Sequence, residues 1–139
     1  MSPDATDLLV DTSVAVALVA ADHDAHAAVL QAIGSRRLGL AGHAAFETYS
    51  VLTRLPPPVR RDPPTVRRLL EENFPATRFV DVSGSAGLLG RLAELGIAGG
   101  SVYDALVAEA ARSHGLPLAT RDQRALDTYR AVGAEIVVV

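Results

Sequence analysis

The sequence predicts an α/β fold, a three-layer α/β/α arrangement around a central, mostly parallel five-stranded sheet. Three observations predict it. Short apolar runs alternate with helix-length segments along the whole chain. Several helical segments open on a capping residue and stop at Gly. Hydrophobic residues make up 49% of the 139 residues, enough for a buried core in one domain spanning 1–139 with no linker.

The elements follow in order. Leu8-Leu9-Val10 is a buried strand ending at Asp11. Thr12 and Ser13 open an Ala/Val-rich helix running to Ala21. His23 to Ile33 forms a second helix, stopped by Gly34. Leu38 to Ala41 is the second strand, and His43 to Leu55 a helix carrying Phe46, Tyr49, Val51 and Leu52. Five of the eight prolines lie between Leu55 and Pro64, which makes that stretch a loop, because Pro lacks the N–H and clashes inside a helix. Asp62 caps the next helix, with Pro63 and Pro64 in its first turn and Val66, Leu69, Leu70 and Phe74 on one face. Arg78 to Val82 is a third strand. Ser83 caps a helix holding Leu88, Leu89, Leu92 and Leu95, a core or dimer stripe stopped by Gly96. Ser101 to His114 is a helix ended by Gly115 and Pro117. Pro117 to Thr120 is a fourth strand, Gln123 to Val132 a helix closed by Gly133, and Glu135 to Val139 the fifth strand.

Composition removes whole chemistries. Cys is absent, which excludes disulfides, thiolate nucleophiles and Cys-ligated zinc. All 13 basic residues are Arg, so there is no Lys for a phosphate-loop motif, a Schiff base or a Lys general base. No run of about 18 apolar residues occurs to span a membrane. The opening Met-Ser-Pro-Asp has no basic segment and does not read as a signal peptide, so a cytoplasmic protein is expected.

Ligands of open parallel sheets bind beyond the carboxyl ends of the strands. Four acids fall at that edge. Asp11 ends the first strand, and Asp122 lies two residues after the fourth. Asp104 is in the first turn of its helix, and Glu47 in the first turns of the helix after strand two. Each has an ordinary alternative: Asp11 and Asp122 as helix caps, Asp104 as a dipole-complementing acid, Glu47 as a solvated side chain. Together they are harder to explain that way. Two carboxylates about 4 Å apart repel by roughly 4 kcal/mol at an effective dielectric near 20. A cluster must protonate or bind a cation, and oxygen-only ligands favour Mg²⁺ or Mn²⁺ over Zn²⁺.

The segments Leu9-Val-Asp-Thr-Ser13, Phe46-Glu-Thr-Tyr-Ser-Val-Leu-Thr-Arg54, Tyr103-Asp-Ala-Leu106 and Thr120-Arg-Asp122 resemble the PIN-domain ribonucleases, and among them the VapC toxins of bacterial type II toxin–antitoxin pairs. The resemblance runs from about Leu8 to Val139. It implies a parallel sheet of strand order 3-2-1-4-5. It also implies that Asp11, Glu47, Asp104 and Asp122 are the catalytic acids of an endoribonuclease using Mg²⁺ or Mn²⁺, with Asp11, Asp104 and Asp122 on the metal. Thr12 or Ser13 and Thr120 match hydroxyl positions that orient the acids or an attacking water. The partners it implies are RNA, a cognate VapB-like antitoxin that enters the active-site groove, and a second copy in a homodimer or a toxin–antitoxin hetero-oligomer. The family often carries Lys near its groove; here Arg alone can hold phosphate by charge.

Other marked residues divide similarly. Arg121 between Thr120 and Asp122 is the basic residue best placed to meet a phosphate, and Arg54 lies two helical turns after Glu47. Tyr103 can stack on a base or pack internally. The Arg pairs 36–37, 60–61 and 67–68 read as solvated surface or phosphate contacts. His23, His26, His43 and His114 form no zinc pattern and read as structural or surface residues. Asp11→Asn is expected to abolish cleavage with the fold intact or stabilised.

The rival readings are phosphoaspartyl chemistry with Asp11 as nucleophile, and a non-catalytic PIN-like binding module. Haloacid-dehalogenase-like phosphatases need an Asp where Ser13 stands, and both they and receiver domains need a Lys. The net charge of −3 argues mildly against nucleic-acid binding, yet without the four acids the chain has 13 basic and 12 acidic residues. Much of its acidity is the candidate site itself.

Overall fold

The computed structural model describes residues 6–139; the opening Met-Ser-Pro-Asp, read above as no signal peptide, lies outside them. At the centre, β1 (Leu8–Val10) pairs with β2 (Leu38–Leu40) on one side and β3 (Leu118–Thr120) on the other, and β3 pairs with β4 (Ile136–Val138). All pairings are parallel and the order is β2-β1-β3-β4. Parallel neighbours require crossovers. Helices α1 (Thr12–Val19) and α2 (His26–Ile33) join β1 to β2. Helices α3 (His43–Thr53), α4 (Pro63–Asn73), α5 (Val82–Arg91) and α6 (Ser101–His114) join β2 to β3. A 3₁₀ turn (Gln123–Ala125) and α7 (Leu126–Val132) join β3 to β4.

Side chains alternate across the strands with period two, and each face carries its own core. Leu9 and Leu118 pack with Leu88 of α5, the Ala/Val face of α6, and Tyr129 and Val132 of α7. Leu8, Val10, Leu40 and Ala119 pack with Val14, Ala15 and Ala17 of α1, Val29 and Ile33 of α2, and Phe74. These are the three layers predicted. Among the described residues no helix is long and apolar enough to cross a membrane.

The sheet has four strands, not the five expected. The predicted third strand is reduced to a single parallel bridge between Ala41 and Arg78 at the β2 edge, the position it would hold in the order 3-2-1-4-5. The reasons are local. The Leu40 N–H donates to the Thr77 hydroxyl (3.0 Å) instead of a backbone carbonyl. The Asp81 carboxylate then accepts from the Gly84 N–H (2.6 Å), so α5 starts at Val82, capped by Asp81 and not by Ser83. Gly39 permits the close approach: a Cβ there would lie 2.2 Å from the Ala76 backbone.

Helix boundaries shift for similar reasons. The second helix begins at His26, not His23, because the His23 ring accepts from the Ala25 N–H and holds a turn. Asp62 caps α4 as expected, accepting from the Thr65 N–H at 3.1 Å. Gly115 ends α6 in the left-handed conformation (φ 64°) that a side chain disfavours.

Candidate active site

Because β2 and β3 flank β1, the chain leaves β1 toward one side of the sheet and returns on the other. This makes a crevice at the carboxyl ends of β1 and β3. Asp11 follows β1 directly and Asp122 follows β3, so strand pairing brings two acids far apart in sequence to one edge. Glu47 comes from the second turn of α3 and Asp104 from the first turn of α6. All four line one small cavity of about 40 Å³ with Thr12, Ser13, Val107 and Tyr129, room for an ion and a water or two.

Asp11 is the anchor, 3% exposed and held by four donors. Its Oδ1 accepts from Ser13 Oγ (2.6 Å) and the Val14 N–H (3.2 Å); its Oδ2 accepts from Thr120 Oγ1 (2.5 Å) and Tyr129 Oη (2.9 Å). The Val14 bond makes Asp11 the α1 cap, so the ordinary reading and the functional one hold together. The two hydroxyls also carry the chain across. Thr120 Oγ1 accepts from the Asp122 N–H (3.0 Å), and Ser13 Oγ accepts from the Arg121 N–H (3.0 Å). Four donors suit a charged carboxylate, not an amide. That geometry weighs against the expectation that Asp11→Asn leaves the fold intact or stabilised, since an amide offers one acceptor oxygen to donors arranged for two.

Asp122 likewise caps the 3₁₀ turn through the Arg124 N–H (3.0 Å). Glu47 accepts from Thr12 Oγ1 at Oε2 (3.2 Å), and His43 Nε2 lies 3.3 Å from its Oε1. Asp104 is the strained member. Burial pushes its carboxyl above the ordinary Asp value, and the charges of Asp122, Glu47 and Asp11 push it further. Burial and the adjacent Asp11 charge also push the Tyr129 hydroxyl far up, so it stays a donor.

Sequence reasoning missed Tyr129. It stands at helical spacing between Leu126 and Val132, a pattern that signals core packing and nothing more. It also placed His43 only as structural or surface, whereas the ring reaches Glu47. The other three His bind backbone groups: His23 the Ala25 N–H, His26 the Ala17 carbonyl and His114 the Phe79 carbonyl.

The predicted substrate residues fare unequally. The Arg121 side chain is exposed beside Asp122, while its backbone N–H is tied into the site. The exposed Arg54 reaches Ser50 (3.4 Å) and does not line the acidic cavity. Tyr103 stacks on His43, ring centroids 5.0 Å apart. All three Arg pairs are at least partly engaged, Arg37 with Asp7 (3.0 Å), Arg67 with Glu71 (3.8 Å), and Arg60 and Arg61 with the Leu55 and Val59 carbonyls (2.8 and 3.1 Å).

The donor set is hard oxygen of high negative charge, which suits a small divalent cation. Among the described residues no three acidic or imidazole side chains stand close enough to hold one ion by themselves. The carboxyl of Asp104 is nonetheless raised, by burial first and then by the charges of Asp122, Glu47 and Asp11.

The PIN domain family model matches residues 8–131. Ribonuclease VapC27 of Mycobacterium tuberculosis is 50% identical over 131 residues, covering 94% of this chain and 96% of that protein. Ribonuclease VapC40 of the same species is 44% identical over 130 residues, covering 93% and 96%. In fold, the crystal structure of VapBC2 from Rickettsia felis bound to a promoter DNA fragment aligns with a TM-score of 0.65 at 11% identity, covering 96% of this chain and 98% of that one.

Proposed function

The chain belongs to the PIN-domain family of VapC-type ribonuclease toxins, and on that premise we propose that Asp11, Glu47, Asp104 and Asp122 are its catalytic acids in RNA phosphodiester hydrolysis. The observation that carries this reading is the convergence of four carboxylates on one cavity at the sheet's switch point. Asp11, Asp104 and Asp122 would hold a divalent metal, Mg²⁺ or Mn²⁺. When bound, that cation supplies positive charge against the carboxylates and against the phosphate oxygens of the transition state.

The chain's own residues divide the remaining work. Thr120, Tyr129 and Ser13 hold the Asp11 carboxylate oriented. Thr12 orients Glu47, which takes the proton of the attacking water. Water attacks phosphorus in line, the bond to the 3′ oxygen breaks, and the products carry 5′-phosphate and 3′-hydroxyl ends. The Arg121 guanidinium, exposed next to Asp122, meets a flanking phosphate.

The phosphoaspartyl alternative asks Asp11 to attack phosphorus. Four donors on its two oxygens blunt it as a nucleophile, which favours hydrolysis by water. By likeness to VapBC complexes such as that of Rickettsia felis, the partner is a VapB-type antitoxin, and the protein acts as a dimer or hetero-oligomer in the cytoplasm.

End-mapping of RNA cleaved by the purified chain tests the mechanism. With Mg²⁺ or Mn²⁺ present, 5′-phosphate ends are expected, and EDTA should stop cleavage. Cyclic 2′,3′-phosphate ends, or activity indifferent to chelation, would overturn it.

A further inference from the structure

Glu47 is carried on a half-exposed helix face, its side chain 40% accessible. A free Glu there samples many rotamers and spends little time where a proton acceptor is needed. Two groups stand against its carboxylate oxygens. Thr12 Oγ1 donates to Oε2 (3.2 Å), and His43 Nε2 stands 3.3 Å from Oε1, one helical turn before it on α3. The His43 ring is itself held from another element, lying nearly parallel to the Tyr103 ring of α6, 23° between planes.

We propose that His43 is a positioning residue for Glu47: Nε2–H donates to Oε1 while the stack on Tyr103 fixes the ring. Together with Thr12, one donor then sits on each carboxylate oxygen, and the remaining lone pairs point in set directions. This assigns Tyr103 a second task. One face of its ring is taken by His43, so a base of the substrate has only the other face on which to stack. It also couples two acids through their neighbours, since Tyr103 precedes Asp104 and His43 shares a helix with Glu47. The proposal rests on the reading of Glu47 as the proton acceptor.

The test is a set of variants of the full chain, assayed on an unstructured, end-labelled RNA of mixed sequence. His43→Phe keeps the ring and the stack but removes the donor. It should lower kcat about tenfold, leave KM within about twofold and leave the Tm nearly unchanged. His43→Gln, which keeps a donor, should recover at least about a third of the lost rate. In a Glu47→Asp background, where the carboxylate is drawn back by one methylene, His43→Phe should cost less than about twofold. Should His43→Phe not fold, His43→Asn, too short to reach Oε1, takes its place.

Native kcat in the donor-less variant, a rise in KM alone, or an equal loss in both backgrounds would overturn the proposal. Glu47→Gln separates the two readings. If that variant cleaves normally, Glu47 is not the proton acceptor and the underlying reading fails. If it is inactive while His43→Phe is native, only the positioning role fails.

Discussion

Tyr129 Oη donates to Asp11 Oδ2 across 2.9 Å and 118 residues of sequence, tying the last helix to the end of the first strand. Both groups are almost fully buried. The bond therefore belongs equally to the core and to the site, and its removal is expected to show in both.

Tyr129→Phe keeps the packing and deletes the donor. A hydrogen bond to a buried charge is worth about 1.5–3 kcal/mol, and a loss of about 2 kcal/mol is expected in urea unfolding. Cleavage should fall about tenfold, and divalent cations should bind more weakly, because the oriented carboxylate has lost one of its supports. Calorimetric titration with Mn²⁺ measures the second effect independently of activity.

Asp11→Asn should abolish cleavage and also destabilise the fold, by about 1–3 kcal/mol, because two of its four donors lose an acceptor. Thermal unfolding of the purified variant checks this. A Tm at or above that of the native chain would mean that relief of repulsion outweighs the lost bonds.

Asp104→Asn should do the opposite. An Asp whose carboxyl is pushed up by folding binds more protons folded than unfolded between the ordinary value and the raised one. Stability from this group is highest below that window and falls as pH rises through it, so at pH 7 the charged form carries the full penalty. The neutral amide should raise the Tm at pH 7 by a few degrees, a modest gain because the site is open enough for water to screen the charges. The gain should vanish near pH 3, where the native carboxyl is protonated too. Millimolar Mg²⁺ or Mn²⁺ should raise the Tm of the native chain more than that of the variant.

Glu109 is buried on α6, with its carboxylate bound by Arg112 at 2.7 and 2.5 Å and approached by Arg91 of α5 at 3.7 Å. The two sides of this pair differ in exposure, and so should the substitutions. Arg112→Leu leaves a buried carboxylate with one distant partner and should cost about 3 kcal/mol. Glu109→Gln frees guanidiniums that water can reach, and should cost less. Equal losses in urea unfolding would mean that the pair is not anchored by the buried Glu.

Much of this protein is written in local patterns. The apolar run ending at Asp11, the Asp62 cap before two prolines and Gly115 closing α6 each follow from the residues within one turn, because strand and helix periods and caps are short-range. The same patterns put Asp11 and Asp122 at strand ends and Asp104 and Glu47 at helix starts. Parallel connection then implies one edge for all four.

What tertiary structure alone decided is which of these ends meet, and through what. Thr120 reaches Asp11 because β3 lies beside β1, and Tyr129 reaches it because α7 packs on that face. His43 meets Tyr103 only where α3 approaches α6. The predicted third strand dwindled to one bridge because Thr77 and Asp81 spend their polar groups on other partners. None of these contacts has a period in the sequence. A hydroxyl or a ring reads there as one more packed side chain, and only the crossovers of the chain determine which buried charge it will serve.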